Sequence, residues 1–140
     1  MFRTIILATD GSAAAERAVD YVASLARHYG ARVLVLHAMA APPDILGEPN
    51  YSQALRAALE EARGLVEDVA KRLREAGVAE VETDVIEGPA GEVILAVVET
   101  RAPDLLVLGA RGQSPWKGLV LGSVSLAVTQ RASCPVLVIK

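Results

Sequence analysis

Four short runs of the chain are almost wholly apolar and rich in Val, Ile and Leu: Thr4–Ala8, Val33–Leu36, Leu105–Leu108 and Val136–Ile139. A fifth, Val81–Ile86, alternates apolar and polar positions. Between these runs apolar residues recur at three- and four-residue steps, the period of a helix with one buried face. Ala15, Val19, Val22 and Ala26 share such a face in a helix predicted from about Ala13 to Tyr29. Ser12 is placed to cap its start, and Gly30 sits where a left-handed residue closes a helix. In a second helix Leu55, Leu59, Ala62, Val66, Val69 and Leu73 form the stripe, and Gly77 ends it. A third opens near Pro89, whose missing N–H costs nothing in a first turn, and carries Ile94, Val97 and Val98. A fourth begins near Ser123 and stops before Cys134-Pro135.

This β-α alternation predicts an α/β protein: an open, parallel, five-stranded sheet with helices on both faces, joined by right-handed crossovers. The alternating third run suits an edge, and the apolar first and fourth suit the centre. The expected arrangement is Rossmann-like, with strand order 3-2-1-4-5. No repeat or linker divides the chain, so residues 1–140 read as one domain. The connection from Met39 to about Asn50 carries Pro42, Pro43, Gly47 and Pro49. A connection this long is expected to act as a mobile cover over the site.

Composition narrows the picture. Hydrophobic residues make up 52% of the chain but aromatic ones only 4%, so the core must be aliphatic, as strands covered on both faces require. A net charge of -3 argues against a nucleic-acid partner, and the Lys71, Arg72, Arg74 cluster reads as a solvated helix face. The one cysteine, Cys134, excludes an internal disulfide and a cysteine-built metal site, and is expected as a small buried side chain. No apolar stretch reaches membrane-spanning length and no signal peptide is evident, so a cytoplasmic address is expected.

In an open α/β sheet, ligands bind beyond the carboxyl ends of the strands, where the strand order reverses. The first strand delivers Asp10-Gly11-Ser12 there, the second His37-Ala38-Met39, and the fourth Gly109-Ala110-Arg111-Gly112. After the fourth strand, GARGQSPWKGLVLGSVS leads directly into a helix. Gly109 would let the backbone leave the strand sharply, and Gly112 would let main chain approach a ligand. The helix start at Gly122-Ser123, with the hydroxyls of Ser123 and Ser125, forms an anion site suited to phosphate, to which Arg111 could add charge. Neither GxxxxGK[ST] nor GxGxxG is present. Trp116 reads as a lid on local core rather than a ligand contact. His28 reads as a cation at a helix C-terminus, and His37 as a bystander near the crevice.

The sequence resembles the universal stress protein family, whose ATP-binding members carry G-x2-G-x9-G-[ST], here Gly109, Gly112, Gly122 and Ser123. The resemblance covers the whole chain, from IILATDGS through VLVLHA and DLLVLGARG to GSVS and CPVLVIK. It implies Asp10 beside the adenosine and Ala38 in the adenine pocket. It places Leu108, Gly109, Arg111 and Gly112 near ribose and phosphates, and Gly122, Ser123, Val124 and Ser125 on the phosphate chain. ATP with Mg²⁺ or Mn²⁺ riding on its phosphates is the implied ligand, and a homodimer through the C-terminal strand the implied assembly.

A dedicated ATPase needs a group to position water and a firm metal site. Asp10 is the one acidic residue at a strand end in the crevice, so hydrolysis is expected to be slow at most, with no catalytic residue assigned. The favoured reading is a nucleotide-responsive regulatory or stress-response factor with an unknown client or regulatory partner. The alternative is a nucleotide-independent homodimeric scaffold that binds a client protein.

Overall fold

The computed structural model describes residues 1–110 and 121–140. The described strands are β1 (Thr4–Ala8), β2 (Arg32–Met39), β3 (Val81–Glu87), β4 (Leu105–Gly109) and β5 (Val136–Ile139). The helices are α1 (Ala13–Tyr29), α2 (Asn50–Glu75), α3 (Ala90–Arg101) and α4 (Ser123–Arg131), with a 3-10 turn at Asp44–Leu46. All strand pairs are parallel, in the order β3-β2-β1-β4-β5. The apolar runs β1 and β4 occupy the centre and the alternating β3 an edge, as their patterns require.

Strand alternation sends side chains to two cores. Ile5, Leu7, Val33, Val35 and Val107 meet α1 and α2 on one face. Ile6, Leu34, Leu36, Leu106 and Leu108 meet α3 and α4 on the other. The buried face of α1 is mostly alanine, with Ala14, Ala15, Ala18, Ala23 and Ala26 around Val19 and Val22, which lets the helix lie close to the sheet. Its ends follow the sequence: the Ser12 hydroxyl accepts from the Ala15 N–H, and Gly30 closes the helix at φ 66°.

Two elements run longer than their patterns foretell. Helix α2 starts at Asn50, before the stripe that begins at Leu55, and its buried residues lie only between Ala62 and Leu73. Strand β2 extends through His37, Ala38 and Met39, which pair with Val85, Ile86 and Glu87 of β3. The connection expected to cover the site instead leads from Met39 toward α2, on the face opposite α3 and α4, and no residue from 40 to 49 lines the site cavity. Among the described residues, no helix is long and apolar enough to cross a membrane.

Candidate functional site

The strand order reverses between β2 and β4, the two neighbours of β1, and a cavity of about 300 Å³ opens at the carboxyl ends of these strands. Its floor is Ala8, Leu36 and Leu108, three aliphatic side chains from three neighbouring strands. Thr9, Asp10 and Ser12 form one wall, His37 and Ala38 a second, and Gly122 to Ser125 a third. The structure thus brings together eight of the ten residues singled out in the sequence: Asp10, Ala38, Leu108, Gly109, Gly122, Ser123, Val124 and Ser125. The other two, Arg111 and Gly112, lie outside the described residues, as does Trp116.

The β1 side of the cavity is tied down by short-range bonds. The Asp10 carboxylate accepts from the Ser12 N–H at 2.9 Å, and the Thr9 hydroxyl accepts from the Gly11 N–H at 3.3 Å. Gly11 holds φ 77°, the left-handed conformation that turns β1 into α1. The Thr9 carbonyl faces His37 Nδ1 at 2.8 Å. A carbonyl only accepts, so Nδ1 carries the hydrogen and Nε2 of the neutral ring is the acceptor. His37, a bystander in the sequence reading, is therefore an oriented member of the cavity wall.

On the β2 side the backbone itself is available. β1 and β2 pair as far as Ala8 and Leu36, where the Thr9 N–H still donates to the Leu36 carbonyl. In a parallel ladder, alternate residues of a strand bond to opposite neighbours. Leu36 bonds toward β1, so the N–H and C=O of Ala38 face the same way, two residues beyond the last β1–β2 pair. One donor and one acceptor thus flank each other at the mouth of the cavity.

The α4 side is different again. Gly122 is the cap residue of α4, with φ -59° and ψ 157°, and among the described residues no side chain caps this end. The first-turn N–H groups of Ser123, Val124 and Ser125 have no acceptor within the helix, and their residues line the cavity. The hydroxyl of Ser125 donates to the Gly109 carbonyl at 2.6 Å, and Ser125 is buried. Its single hydrogen holds α4 to the end of β4, so the hydroxyl has no hydrogen left to donate into the cavity.

Gly109 has a structural reason that the sequence did not suggest. A Cβ at this position would stand 2.9 Å from the Ala14 Cβ and 3.0 Å from the Ala15 nitrogen. The missing side chain lets the first turn of α1 sit directly against the end of β4. Two residues of α3, Ala90 and Ile94, complete the wall and were missed. The signal was present in Gly88-Pro89-Ala90, which delivers a helix start to the same end of the sheet. Among the described residues, no group of three His, Cys, Asp or Glu side chains is placed to hold a metal ion. Cys134 is half-buried among the α3–α4 core residues, and burial pushes its thiol above the ordinary value.

The chain is 39% identical to a universal stress protein of Thermus aquaticus, from the 3′ region of a QAH/OAS sulfhydrylase, over the full length of both. It superimposes on the structure of MJ0577 of Methanocaldococcus jannaschii with a TM-score of 0.89 at 28% identity, covering 100% of this chain and 96% of the other. A universal stress protein family protein from Arabidopsis thaliana, solved with AMP bound, shares the fold with a TM-score of 0.70 at 23% identity, covering 99% and 91%. Another neighbour, a universal stress protein in complex with cAMP, has a TM-score of 0.78 at 24% identity, covering 99% and 97%. The universal stress protein family model matches residues 1–140, and the chain belongs to that family.

Proposed function

We propose that this protein binds an adenine nucleotide in the switch-point cavity and acts as a nucleotide-responsive stress-response factor of the cytoplasm. The observation that carries this reading is the uncapped start of α4, Gly122 to Ser125, across the cavity from the open backbone of Ala38. An adenine edge presents one acceptor and one donor, the complement of the Ala38 N–H and C=O. The base lies on the aliphatic floor of Leu36 and Leu108, the ribose beside Asp10, and the phosphates on the α4 N–H groups. Arg111 and Gly112 extend the phosphate site. The nucleotide complexes of structural neighbours support the same ligand class.

ATP is the proposed physiological ligand, with Mg²⁺ or Mn²⁺ carried on its phosphates. Among the described residues, Asp10 is the single carboxylate on the cavity wall, which suits a metal held by the ligand rather than by the protein. One carboxylate engaged with the Ser12 N–H also suits a binding protein with at most slow hydrolysis. Mass spectrometry of small molecules released from freshly purified protein, followed by calorimetry with ATP, ADP and AMP with and without Mg²⁺, tests the reading. The expected result is one adenine nucleotide per chain. No saturation by any of the three at millimolar concentration overturns it and favours the scaffold alternative.

The protein is also proposed to form a homodimer through β5. This edge strand leaves Val136, Leu137 and Val138 half-buried, with no charged side chain between Val136 and Ile139. Folded proteins cover such an edge, and pairing of two copies across a two-fold axis closes the contact. Val138→Lys should convert the dimer into a soluble monomer. Light scattering of the wild type near 14.7 kDa rejects the dimer, and a dimer that survives both Val138→Lys and Val136→Lys places the interface elsewhere.

A further inference from the structure

The β1–β2 ladder stops before the bond its register calls for next. Odd-numbered residues of β1 and even-numbered residues of β2 turn their backbone groups to each other. The Arg32 N–H donates to the Arg3 carbonyl at the start of the pair, and the Thr9 N–H to the Leu36 carbonyl at its end, both at 2.9 Å. In a parallel ladder a residue whose N–H meets one partner accepts, at its own carbonyl, from the residue two places further along that partner strand. The next bond would therefore run from the Ala38 N–H to the Thr9 carbonyl. Among the described residues that bond is not formed. The Thr9 carbonyl accepts instead from His37 Nδ1–H at 2.8 Å.

The strand itself places His37 for this role. Its position has the parity of Val33 and Val35, which meet α1 and α2, opposite the cavity floor of Leu36 and Leu108. The side chain crosses from β2 to the first residue after β1. Thr9 is buried, so its carbonyl needs a donor. With the imidazole supplying that donor, the Ala38 N–H is left over at the cavity that Ala38 lines.

We propose that His37 is a positioning residue for the base: its Nδ1–H takes the ladder acceptor of Ala38 and so keeps the Ala38 N–H as a donor to the ligand. The identity of that ligand rests on the adenine nucleotide reading; the ladder argument does not. His37 acts through the Thr9 carbonyl rather than on the base. Without the ring, that carbonyl takes the donor that the register already aims at it, the Ala38 N–H. The strand pair then gains one bond and the site loses one.

His37→Ala and His37→Asn, beside the wild type, test this. An Asn side-chain amide stands at the Nδ1 position and can donate to the Thr9 carbonyl. Scalar coupling across a hydrogen bond, from the Ala38 nitrogen to the Thr9 carbonyl carbon, is measured without ligand. It should be absent in the wild type and in His37→Asn, and present in His37→Ala. Calorimetry should show adenosine, AMP and ATP weakened by one common factor of about ten in His37→Ala, the scale of one hydrogen bond, and within about twofold of wild type in His37→Asn. A general loosening of the site would give the three ligands different factors. The proposal fails if the wild type already shows the coupling, or if His37→Ala does not gain it, since the Gly11 turn alone would then end the ladder. It also fails if His37→Ala changes affinity less than about twofold or if Asn does not restore it. No saturation of the wild type by any of the three ligands overturns the nucleotide reading instead, and the couplings then decide the role of His37.

Discussion

Helices α1 and α4 both begin at the cavity wall, and their first turns are built in opposite ways. At α1, the Asp10 carboxylate takes the Ser12 N–H, the Ser12 hydroxyl takes the Ala15 N–H, and Glu16 sits in the first turn. Glu16 is also bonded to Arg72 of α2. At α4 there is no acidic residue in the first turn, no capping side chain among the described residues, and a glycine at the cap position. The positive end of the α1 dipole is answered within the protein, whereas that of α4 faces the cavity. Two helix starts at the same cavity thus differ: one fixes the wall, and the other is the proposed anion site.

The sharpest way to break this contrast is to fill the α4 start. Gly122 has backbone angles that any residue adopts, so Gly122→Val should fold while its β-branched side chain occupies the space next to the first-turn N–H groups. Nucleotide affinity should fall about a hundredfold or more, the scale of losing several charge-assisted hydrogen bonds. Calorimetry beside a normal circular dichroism spectrum checks it. Unchanged affinity would place the phosphates elsewhere.

A smaller effect is expected on the α1 side. Asp10→Ala removes the carboxylate proposed to meet the ribose and releases the Ser12 N–H. A hydrogen bond to a charged group contributes about 1.5–3 kcal/mol, which corresponds to a ten- to hundredfold loss of affinity. Were the variant to bind normally, Asp10 would be a structural element of the α1 start alone. Ser12→Ala separates the two tasks further. It should lower stability by about 1 kcal/mol, the worth of a helix cap, and the melting temperature by about 4 °C. Nucleotide affinity should fall less than for Asp10→Ala, because the Ser12 hydroxyl oxygen is engaged with the Ala15 N–H.

The same contrast shows what the sequence carries. Continuous apolar runs announced β1 and β4 as central strands, and the charged alternation of Val81–Ile86 announced an edge, because burial on two faces leaves no room for polar residues. Ser12 and Gly30 were legible as caps since capping is a local interaction. The role of Gly109 was not legible: it depends on how close α1 approaches β4, and the α1 contact lies about a hundred residues away in sequence. The Ser125 hydroxyl was read as a phosphate donor because nothing local reveals its bond to the Gly109 carbonyl. The overrun of β2 through His37, Ala38 and Met39 was blurred by mixed polarity, although that overrun exposes the Ala38 backbone. The route of residues 40–49 escaped because length alone does not tell which face of the sheet a connection crosses.

A second carboxylate uses the Asp10 device at the far end of the sheet, where no ligand is expected. Asp104 accepts from the Arg3 N–H at 2.8 Å, the Thr4 N–H at 3.0 Å and the Thr4 hydroxyl at 3.3 Å. These bonds, the Arg3 amide first, hold its carboxyl below the ordinary value of 3.8 and tie the start of β4 to the start of β1. Because the folded chain releases this proton more readily than the unfolded one, the contribution is complete above the ordinary carboxylate range. It is lost as pH falls through the lowered value. Asp104→Asn should therefore be less stable than wild type at neutral pH, and the two should converge in acid. Urea midpoints at about pH 7 and about pH 3 measure this. The effect should be the smallest of the set, because the site is accessible to water, and nucleotide affinity should not change. A constant gap between the two midpoints would mean that Asp104 acts through neutral hydrogen bonding, and that the device shared with Asp10 does not depend on charge.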